Sequence, residues 1–422
     1  MKLVRLNLSG LMPIALRLSK VQTLEQILLS LGYPPDTYIP RIDGRFVPTD
    51  YVPDDDQTVD ILLTRDDPAP ITRITKAEIE VLQSAEPEHH PRTDHSCDFC
   101  GGKAVHVERY ALNMLRDARV YRCADCLIHE VKRKCFGTLD WFQLVRPGDT
   151  VLIPLSAGKD SATELSMVSE YIRSRDIPAK LVAYTVQMSR RNLFFKQTVA
   201  RAIDLAARFN AHHIVIDLKE YYGAYLDEIV DRRIRSEGIP YWGPCVLCSA
   251  IRAVLQNALI TSLRATTVTS GCTLIDGARH LFWGLFYSSS WRRFARPFVE
   301  EPSGIKCIHP LYELSEVETS LYTHLLDLPV VRHYETECPF AGTGTRSAQT
   351  DILHRINNYM PGLLHQSTER LLKGLEYLDP KRDRTGRCIS CGSTYYRILE
   401  SGKCVICEVH HAYGLDVPEV RI

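Results

Sequence analysis

Residues 150–161 combine the residue types that hold a phosphate group. An apolar run of strand length at 151–155 leads into Ser-Ala-Gly-Lys-Asp-Ser at 156–161, and apolar residues at helical spacing follow. Small residues let backbone N–H groups approach an anion, a helix N-terminus adds partial positive charge, and a lysine supplies an ammonium group. The stretch therefore predicts a strand, an anion-binding turn and a helix. The alternative is an ordinary turn of small residues.

Ten of the fourteen cysteines fall into five C-x-x-C pairs. In a reducing compartment such pairs indicate metal binding. Four of the pairs form two quartets, and four thiolates make a closed tetrahedral site that suits structural zinc. His129 could replace one ligand of the first quartet. The predicted zinc ligands are Cys97, Cys100, Cys123 and Cys126 in the first quartet and Cys388, Cys391, Cys404 and Cys407 in the second.

The fifth pair, Cys245 and Cys248, has no second pair to complete it. Pro244 suits a helix start, so these two cysteines share one face, and Arg252 lies one turn further along it. A lone Cys338 lies far downstream. Three cysteines in this 2+1 pattern can bind a 4Fe-4S cluster and leave one iron open. A redox disulfide between Cys245 and Cys248 and a three-cysteine zinc site are the alternatives.

The elements around the loop alternate between strand and helix. Strands are predicted at 179–186, 212–217 and 266–270, with a helix at 194–209 between the first two. This order predicts a parallel doubly wound sheet whose ligand binds at the carboxyl ends of the strands. The 266–270 strand ends at Gly271, which therefore faces the same region as the loop. Two of the three other cysteines, Cys135 and Cys307, are expected in the core.

The first 65 residues show the order ββαββ, with a helix around Leu24 to Leu31. This order resembles the ubiquitin-like β-grasp fold of small sulfur carriers, which act through a free C-terminal Gly-Gly. Here the last strand runs into Arg65-Asp-Asp-Pro68 without Gly-Gly. The segment is therefore expected to serve docking or regulation, or to have a structural role only.

Length and composition bound the organisation of the chain. The 422 residues are enough for several domains, and 51 Lys+Arg balance 51 Asp+Glu. Neither an eighteen-residue apolar run nor a signal-peptide core is present, which predicts a cytoplasmic protein with no membrane partner. The predicted units are a β-grasp domain at 1–65, a linker at 66–95, a zinc module at 96–145, the central domain at 146–380 and a zinc ribbon at 381–422.

Basic residues cluster beside both quartets and favour contacts with an RNA backbone over a merely solvated charged face. They are His129, Lys132, Arg133 and Lys134 after the first quartet and Lys381, Arg382, Arg384 and Arg387 before the second.

The loop at 156–161 resembles the S-G-G-x-D-S loop of the PP-loop ATP pyrophosphatases, which hold the ATP pyrophosphate and adenylate a carbonyl oxygen. It lacks the spacing of a Walker A loop. Ala157 stands where the pattern has its second glycine. A methyl group is tolerated at that position if the φ angle stays negative.

Further motifs extend the resemblance to residues 97 to about 410, which are similar to the tRNA 2-thiouridine synthetases of the TtuA type and their wobble-uridine relatives. Besides the quartets and the Pro-Cys-x-x-Cys helix, these motifs are Lys219-Glu-Tyr-Tyr-Gly223, Leu226-Asp-Glu-Ile229, Glu337-Cys338-Pro339 and Arg346. The resemblance implies a PP-loop (HUP-like) fold that binds ATP, adenylates O2 of a uridine in tRNA, and displaces AMP with sulfur held by a 4Fe-4S cluster.

The resemblance also assigns roles to individual residues. Cys245, Cys248 and Cys338 would hold the cluster, and Arg252 could stabilise charge developing on the adenylate. The ATP phosphates and Mg2+ would be bound by Ser156, Ala157, Gly158, Lys159, Asp160, Ser161 and Gly271. Catalytic roles would fall to Lys159, Asp160, Arg252 and Asp276.

One departure bears on activity. The family pattern G-H-N-x-D-D is Gly-Cys-Thr-Leu-Ile-Asp at 271–276, so Cys272 and Ile275 replace a histidine and an aspartate. Two alternatives to tRNA thiolation follow: adenylation or thiolation of another substrate, and a non-catalytic RNA-binding scaffold. Sulfide or a separate carrier protein would donate the sulfur, and the family resemblance allows a homodimer.

Overall fold

The computed structural model describes residues 2–8, 13–18, 21–64, 95–113, 116–237, 243–287, 297–300, 304–332, 336, 338–340, 346–359, 364, 387–392, 398–399, 401–416 and 418. Most of the predicted linker, with its Pro-rich and charged sequence, lies outside these residues. So do Glu337, Lys381, Arg382 and Arg384.

The N-terminal residues form a five-stranded mixed sheet with one helix. The strands are β1 (Lys2–Leu8), β2 (Ile14–Leu18), β3 (Tyr38–Ile42), β4 (Arg45–Phe46) and β5 (Gln57–Leu63), in the order β2-β1-β5-β3-β4. Helix α1 (Leu24–Ser30) begins at a capping box formed by Thr23 and Gln26. Its apolar face packs with Leu6 and Ile61 in a core of its own. The predicted order of two strands, a helix and further strands is present.

A hairpin and a long helix follow. Strands β6 (His106–Asn113) and β7 (Arg116–Arg122) pair antiparallel, and helix α2 (Ala124–Trp141) starts directly after Cys123. Leu127, Val131 and Cys135 on one face of α2 are fully buried. This spacing of buried residues matches the helical repeat and fixes α2 against the rest of the chain.

The central sheet has six strands in the order β10-β9-β8-β11-β13-β12. Its first five strands in that order are parallel, whereas β12 pairs antiparallel with β13 at the edge, a strand that the predicted all-parallel sheet did not include. The strands are β8 (Thr150–Pro154), β9 (Lys180–Gln187), β10 (His212–Asp217), β11 (Thr267–Thr269), β12 (Phe298–Glu300) and β13 (Lys306–Ile308).

Apolar cores cover both faces of this sheet. Val151 and Ile153 of β8 lie in one core and Leu152 in the other, because successive side chains of a strand face opposite ways. The helices that follow α2 along the chain are α3 (Lys159–Ser174), α4 (Leu193–Arg208), α5 (Leu218–Tyr222), α6 (Leu226–Glu237), α7 (Pro244–Leu263), α8 (Leu274–Tyr287), α9 (Glu316–Leu325), α10 (Arg346–Tyr359) and α11 (Val405–Ala412).

Helix α7 is long and apolar, with a mean hydropathy of 1.5 over an eighteen-residue window. By length and composition alone it is the one helix of the described ranges that could cross a membrane. Its buried residues, among them Leu247, Ile251 and Leu255, belong to the core that covers one face of the central sheet. Core helices of water-soluble domains share this composition.

Candidate active site

The predicted phosphate loop lies at the point where the strand order reverses. The chain passes from β8 outward to β9 and β10, and then returns to place β11 on the other side of β8. Crevices at such reversals bind ligands at the carboxyl ends of the strands. Both the loop after β8 and Gly271 after β11 lie there, as the sequence predicted.

The loop leads straight into α3. Gly158 precedes the helix without a capping side-chain hydrogen bond, which leaves the first N–H groups of α3 available to an anion. The hydroxyls of Ser156 and Ser161 lie 3.1 Å apart, and Ser161 Oγ also donates to the Gly158 carbonyl at 3.2 Å. The arrangement is that of an anion-binding turn.

Ala157 does not have the negative φ angle at which a methyl group was expected to be tolerated. Its φ angle is 54°, in the left-handed region, and the residue is completely buried. Its carbonyl accepts a hydrogen bond of 2.8 Å from the Val331 N–H. The expectation that Ala157 would have a negative φ angle is therefore wrong. The backbone keeps the conformation that a glycine would favour, and the alanine adopts it at a steric cost of about 1–2 kcal/mol.

The two charged residues of the loop are held by α9. Lys159 Nζ lies 2.7 Å from Asp160 Oδ2 and 3.8 Å from Glu316 Oε1. Thr319 Oγ1 donates to Asp160 Oδ1 at 2.7 Å. Burial raises the pKa of Asp160, and the Lys159 ammonium opposes this shift.

Glu316 and Thr319 were not among the predicted site residues. A local signal for their helix was present, since Ser315 and Glu318 form an S-x-x-E capping box at the start of α9. Glu316 is fixed in turn by His354 of α10, whose Nε2 lies 3.2 Å from Glu316 Oε2.

A further carboxyl group, Glu164, lies behind the loop on α3. It is completely buried, and neither of its oxygens has a hydrogen-bond partner among the described residues. Burial raises the pKa of Glu164 to about 8, and the nearby Thr269 hydroxyl opposes this shift without a hydrogen bond of normal geometry. A Cβ on Gly271 would lie 3.4 Å from Glu164 Oε2, so the missing side chain makes room for this carboxyl.

Asp276 keeps a place at the site despite the altered motif around it. Its carboxylate accepts hydrogen bonds from Arg279 at 3.0 Å and from the Thr273 N–H at 3.2 Å. Ile275, which replaces the family aspartate, points into an apolar cluster with Leu353. One carboxylate of the family pair is therefore present, and the other is replaced by a core residue.

These groups surround one cavity of about 610 Å3. The predicted residues in its wall are Ser156, Gly158, Lys159, Asp160, Ser161, Arg252, Gly271 and Asp276. Ala157 lies behind the wall. The wall also contains Cys272, Cys307, Leu63 and Thr64, of which the last two belong to the end of β5 in the N-terminal sheet. Cys307 is buried as predicted but borders this cavity, whereas Cys135 is wholly within the core.

Arg252 connects the cavity with the three predicted cluster cysteines. The charge of Cys248, and to a smaller extent those of Cys338 and Cys245, raises the pKa of Arg252. Burial raises the pKa of Cys338 to about 11, and Cys248 adds to this shift. The three thiols therefore lie near one another and near the same guanidinium, which the sequence spacing predicted for Cys245 and Cys248 only.

The geometry distinguishes among the alternatives for these three cysteines. No disulfide joins Cys245 to Cys248 in this structure. A three-cysteine zinc site would bring their sulfurs to about 3.8 Å from one another, given Zn–S bonds of about 2.3 Å. Within the described ranges, the groups whose ligand atoms all lie within 4.8 Å of one another are the two quartets, and this trio is not among them. The three cysteines therefore do not form a compact three-cysteine zinc site in this structure.

Each quartet forms a compact group that could hold a metal ion. In the first, Cys100 Sγ lies 3.5 Å from Cys123 Sγ and 3.7 Å from Cys126 Sγ. In the second, the Cys388–Cys407 and Cys391–Cys404 sulfur pairs are each 3.7 Å apart. These separations fit four thiolates around one tetrahedral ion. With Cys126 in place, His129 is not required as a ligand.

The basic residues of α2, predicted to contact an RNA backbone, form ion pairs with carboxylates. Lys134 is buried and binds Glu318 at 2.7 Å and Glu108 at 3.0 Å. Lys132 pairs with Glu170 at 2.7 Å, and Arg133 pairs with Glu130 at 2.7 Å. Lys134 is therefore not available to an RNA backbone, and the prediction is wrong for this residue. Lys132 and Arg133, whose side chains are 33% and 61% exposed, stay predicted RNA contacts. Arg387, one of the basic residues before the second quartet, donates a hydrogen bond to the Gly392 carbonyl at 3.0 Å.

This architecture was compared with family models, curated proteins and solved structures. No family model matches the chain. The fold is that of a solved structure, the U34-tRNA thiolase NcsA from Methanococcus maripaludis with its [4Fe-4S] cluster. The TM-score is 0.57 and the identity 23%, over 76% of this chain and 97% of that one.

Curated relatives are consistent with this fold. The chain is 26% identical over 319 residues to the tRNA 2-thiolation protein NcsA of Haloferax volcanii, covering 70% of this chain and 94% of that protein. It is 26% identical over 291 residues to the tRNA-5-methyluridine(54) 2-sulfurtransferase of Thermus thermophilus, covering 68% and 82%. The resemblance predicted from the motifs is confirmed.

Proposed function

We propose that this chain is an ATP-dependent sulfurtransferase that replaces O2 of a uridine in tRNA with sulfur. One observation carries the proposal: Arg252 lines the cavity of the phosphate loop, and its charge interacts with those of Cys245, Cys248 and Cys338. A single side chain thus connects the place where a nucleotide would bind with the place where sulfur would be held. The curated relatives, named as tRNA thiolation proteins, support the same reading.

The residues of the loop have distinct parts in this proposal. The N–H groups at the start of α3 and the hydroxyls of Ser156 and Ser161 hold the pyrophosphate. Lys159 would turn from Asp160 to the phosphate oxygens, and the Asp160 carboxylate would then be able to hold Mg2+. Bound ATP would supply the activating AMP group, and a 4Fe-4S cluster on the three cysteines would hold the donor's sulfide, which displaces AMP.

Residues of the opposite wall complete the site. Arg252 stabilises the negative charge that develops as the uridine oxygen is activated, because a preorganised cation in a buried site is effective there. Asp276, restrained by Arg279, orients the nucleotide from the end of β11. Tests of these roles need both the ATP reaction and the sulfur product.

The flanking units complete the proposal. The sheet at 2–64 is a β-grasp domain, the quartets hold one structural Zn2+ each, and the central domain spans 146–380. In this proposal the protein acts on tRNA in the cytoplasm, and sulfide or a carrier protein donates the sulfur. The proposal also includes a homodimer. Thiolate quartets with free cysteines elsewhere suit a reducing compartment.

The test combines metal analysis with two product assays. Anaerobically purified wild type should contain about four irons and four sulfides per chain, form AMP in the presence of unmodified tRNA, and produce 2-thiouridine detectable by mass spectrometry of digested nucleosides. Cys338→Ala should lose the iron and the thiolated product. Lys159→Ala should keep the iron and lose AMP formation. Zinc without iron in the wild type would overturn the cluster mechanism.

A second candidate function keeps the adenylation and changes the substrate. It is favoured by the burial of Lys134 in ion pairs with Glu318 and Glu108, which removes this cation of the first zinc module from contact with RNA. AMP formation that is unaffected by tRNA, with no thiolated nucleoside, would favour this candidate over tRNA thiolation.

A further inference from the structure

The N-terminal sheet is docked through a face that its own core does not use. Ile39 of β3 and Leu62 of β5 are direct cross-strand partners. Their neighbours Tyr38 and Ile61 point into the domain core, so Ile39 and Leu62 point to the opposite face. Both are nearly inaccessible, at 1% and 6% exposure, because they pack against other parts of the chain.

The partners of this apolar pair are chiefly on α9. Ile39 and Leu62 form one cluster with Val317 and Leu321 of α9 and with Leu127 of α2. Removing these apolar side chains from water stabilises the docked arrangement. The domain is thus fixed to the helix that carries Glu316 and Thr319.

Polar contacts fix the same orientation from two other sides. Asn357 of α10 donates to Asp36 of the N-terminal domain at 2.6 Å. Glu25 lies 2.6 Å from Arg109 of β6, and Asp50, 2% exposed, lies 2.9 Å from Arg119 of β7. A domain held by buried ion pairs and an apolar cluster does not move as a tethered carrier would.

The docked helices are those that hold the phosphate loop. Glu316 lies next to Val317 in α9 and reaches Lys159, while Thr319 donates to Asp160. Helix α10 contributes His354, one turn before Asn357, to fix Glu316. Contacts through α9 and through α10 therefore connect the N-terminal domain with the phosphate loop.

We propose that residues 2–64 act as a fixed positioning module for the phosphate loop, holding α9 and α10 so that Lys159 and Asp160 are set to receive the ATP phosphates. Ile39, Leu62 and Asp36 are its positioning residues. The end of β5 also places Leu63 and Thr64 in the cavity wall. This inference rests on the proposed ATP site and assigns the domain a role other than sulfur donation.

The test perturbs the docking face and measures ATP affinity in the full-length chain. Leu62→Glu places a charge on the docked face and leaves the domain core untouched. Ala15→Glu makes the same kind of change at an exposed position of the same sheet, on β2, and is the matched control. Calorimetric titration with a non-hydrolysable ATP analogue should show roughly tenfold weaker binding for Leu62→Glu, a typical size for coupling between sites. Ala15→Glu should bind like wild type.

Hydrogen exchange separates undocking from unfolding. In Leu62→Glu, amides of α9 should lose protection while those of β1 keep it. Asp36→Ala serves as a second, milder variant, with an expected loss of affinity of about threefold in the same direction. Undocked α9 with unchanged ATP affinity would overturn the inference. If Lys159→Ala also left affinity unchanged, the proposed ATP site itself would be wrong, so the two failures are distinguishable.

Discussion

Replacing Glu164 by glutamine is expected to stabilise the protein, increasingly so as the pH rises. Glu164 is fully buried on α3 without a hydrogen-bond partner among the described residues, and burial raises its pKa from 4.5 to about 8. Between these two values the unfolded chain releases the proton while the folded chain keeps it. Folding then binds a proton, so the free energy of unfolding falls as the pH rises.

The magnitude follows from the width of this interval. Each pH unit costs about 1.4 kcal/mol, so the wild type loses about 3 kcal/mol between pH 4.5 and pH 7 relative to a variant that cannot ionise. Below pH 4.5 both states are protonated and the difference vanishes. For a unit of the size of the central domain this corresponds to about 6–12 °C in Tm at neutral pH.

The assay is thermal unfolding of wild type and Glu164→Gln at several values between pH 5 and pH 8. The Tm difference should be small at pH 5 and should grow steadily to pH 8. Because the glutamine amide is nearly the same size, packing changes would shift both curves equally at all pH values. Parallel curves, or a wild type that becomes the more stable protein at high pH, would refute the buried, neutral carboxyl.

Three further predictions concern ion pairs, metals and backbone strain. Lys134→Met should lower the free energy of unfolding by about 3–5 kcal/mol because it strands the buried Glu318, while Lys132→Met, which breaks the partly exposed pair with Glu170, should cost less than about 1 kcal/mol; similar losses in thermal unfolding would contradict the burial argument. Cys404→Ala should lower the zinc content by one ion per chain in elemental analysis, whereas Cys135→Ala, in the core, should leave it unchanged. Ala157→Val should be less stable than Ala157→Gly by at least about 1 kcal/mol, because a β-branched side chain tolerates a φ of 54° poorly; equal midpoints would mean that the loop relaxes.

Features that depend on residues close together in the sequence were predictable. The apolar run at 151–155 and the small residues after it predicted β8, the loop and α3, because strand, turn and helix each depend on neighbours in sequence. The quartets followed from the fixed geometry of two C-x-x-C pairs. The antiparallel edge strand β12 was missed, since its three residues are too short to show alternation.

Features that depend on distant partners were not predictable. Lys134 and Glu318 are 184 residues apart, and a lysine on an amphipathic helix gives no local sign of a buried partner. The same holds for Thr319 and Asp160, 159 residues apart, although a capping box marked the start of α9. The φ angle of Ala157 was also out of reach, because the loop imposes a conformation that the residue itself disfavours.

The packing of α11 on α7 has a consequence for how the protein matures. Helix α11 begins directly after Cys404. Its Val409, and Tyr413 just beyond its end, are buried in the core that includes α7, and His410 forms a hydrogen bond with Tyr222, 188 residues away. Contacts between such distant segments form late in folding. Until they do, the helix with Cys245 and Cys248 lacks part of its supporting surface. On the proposed assignment, removing the metal ion from the second quartet would therefore weaken the packing of α7, which carries two of the three proposed cluster cysteines.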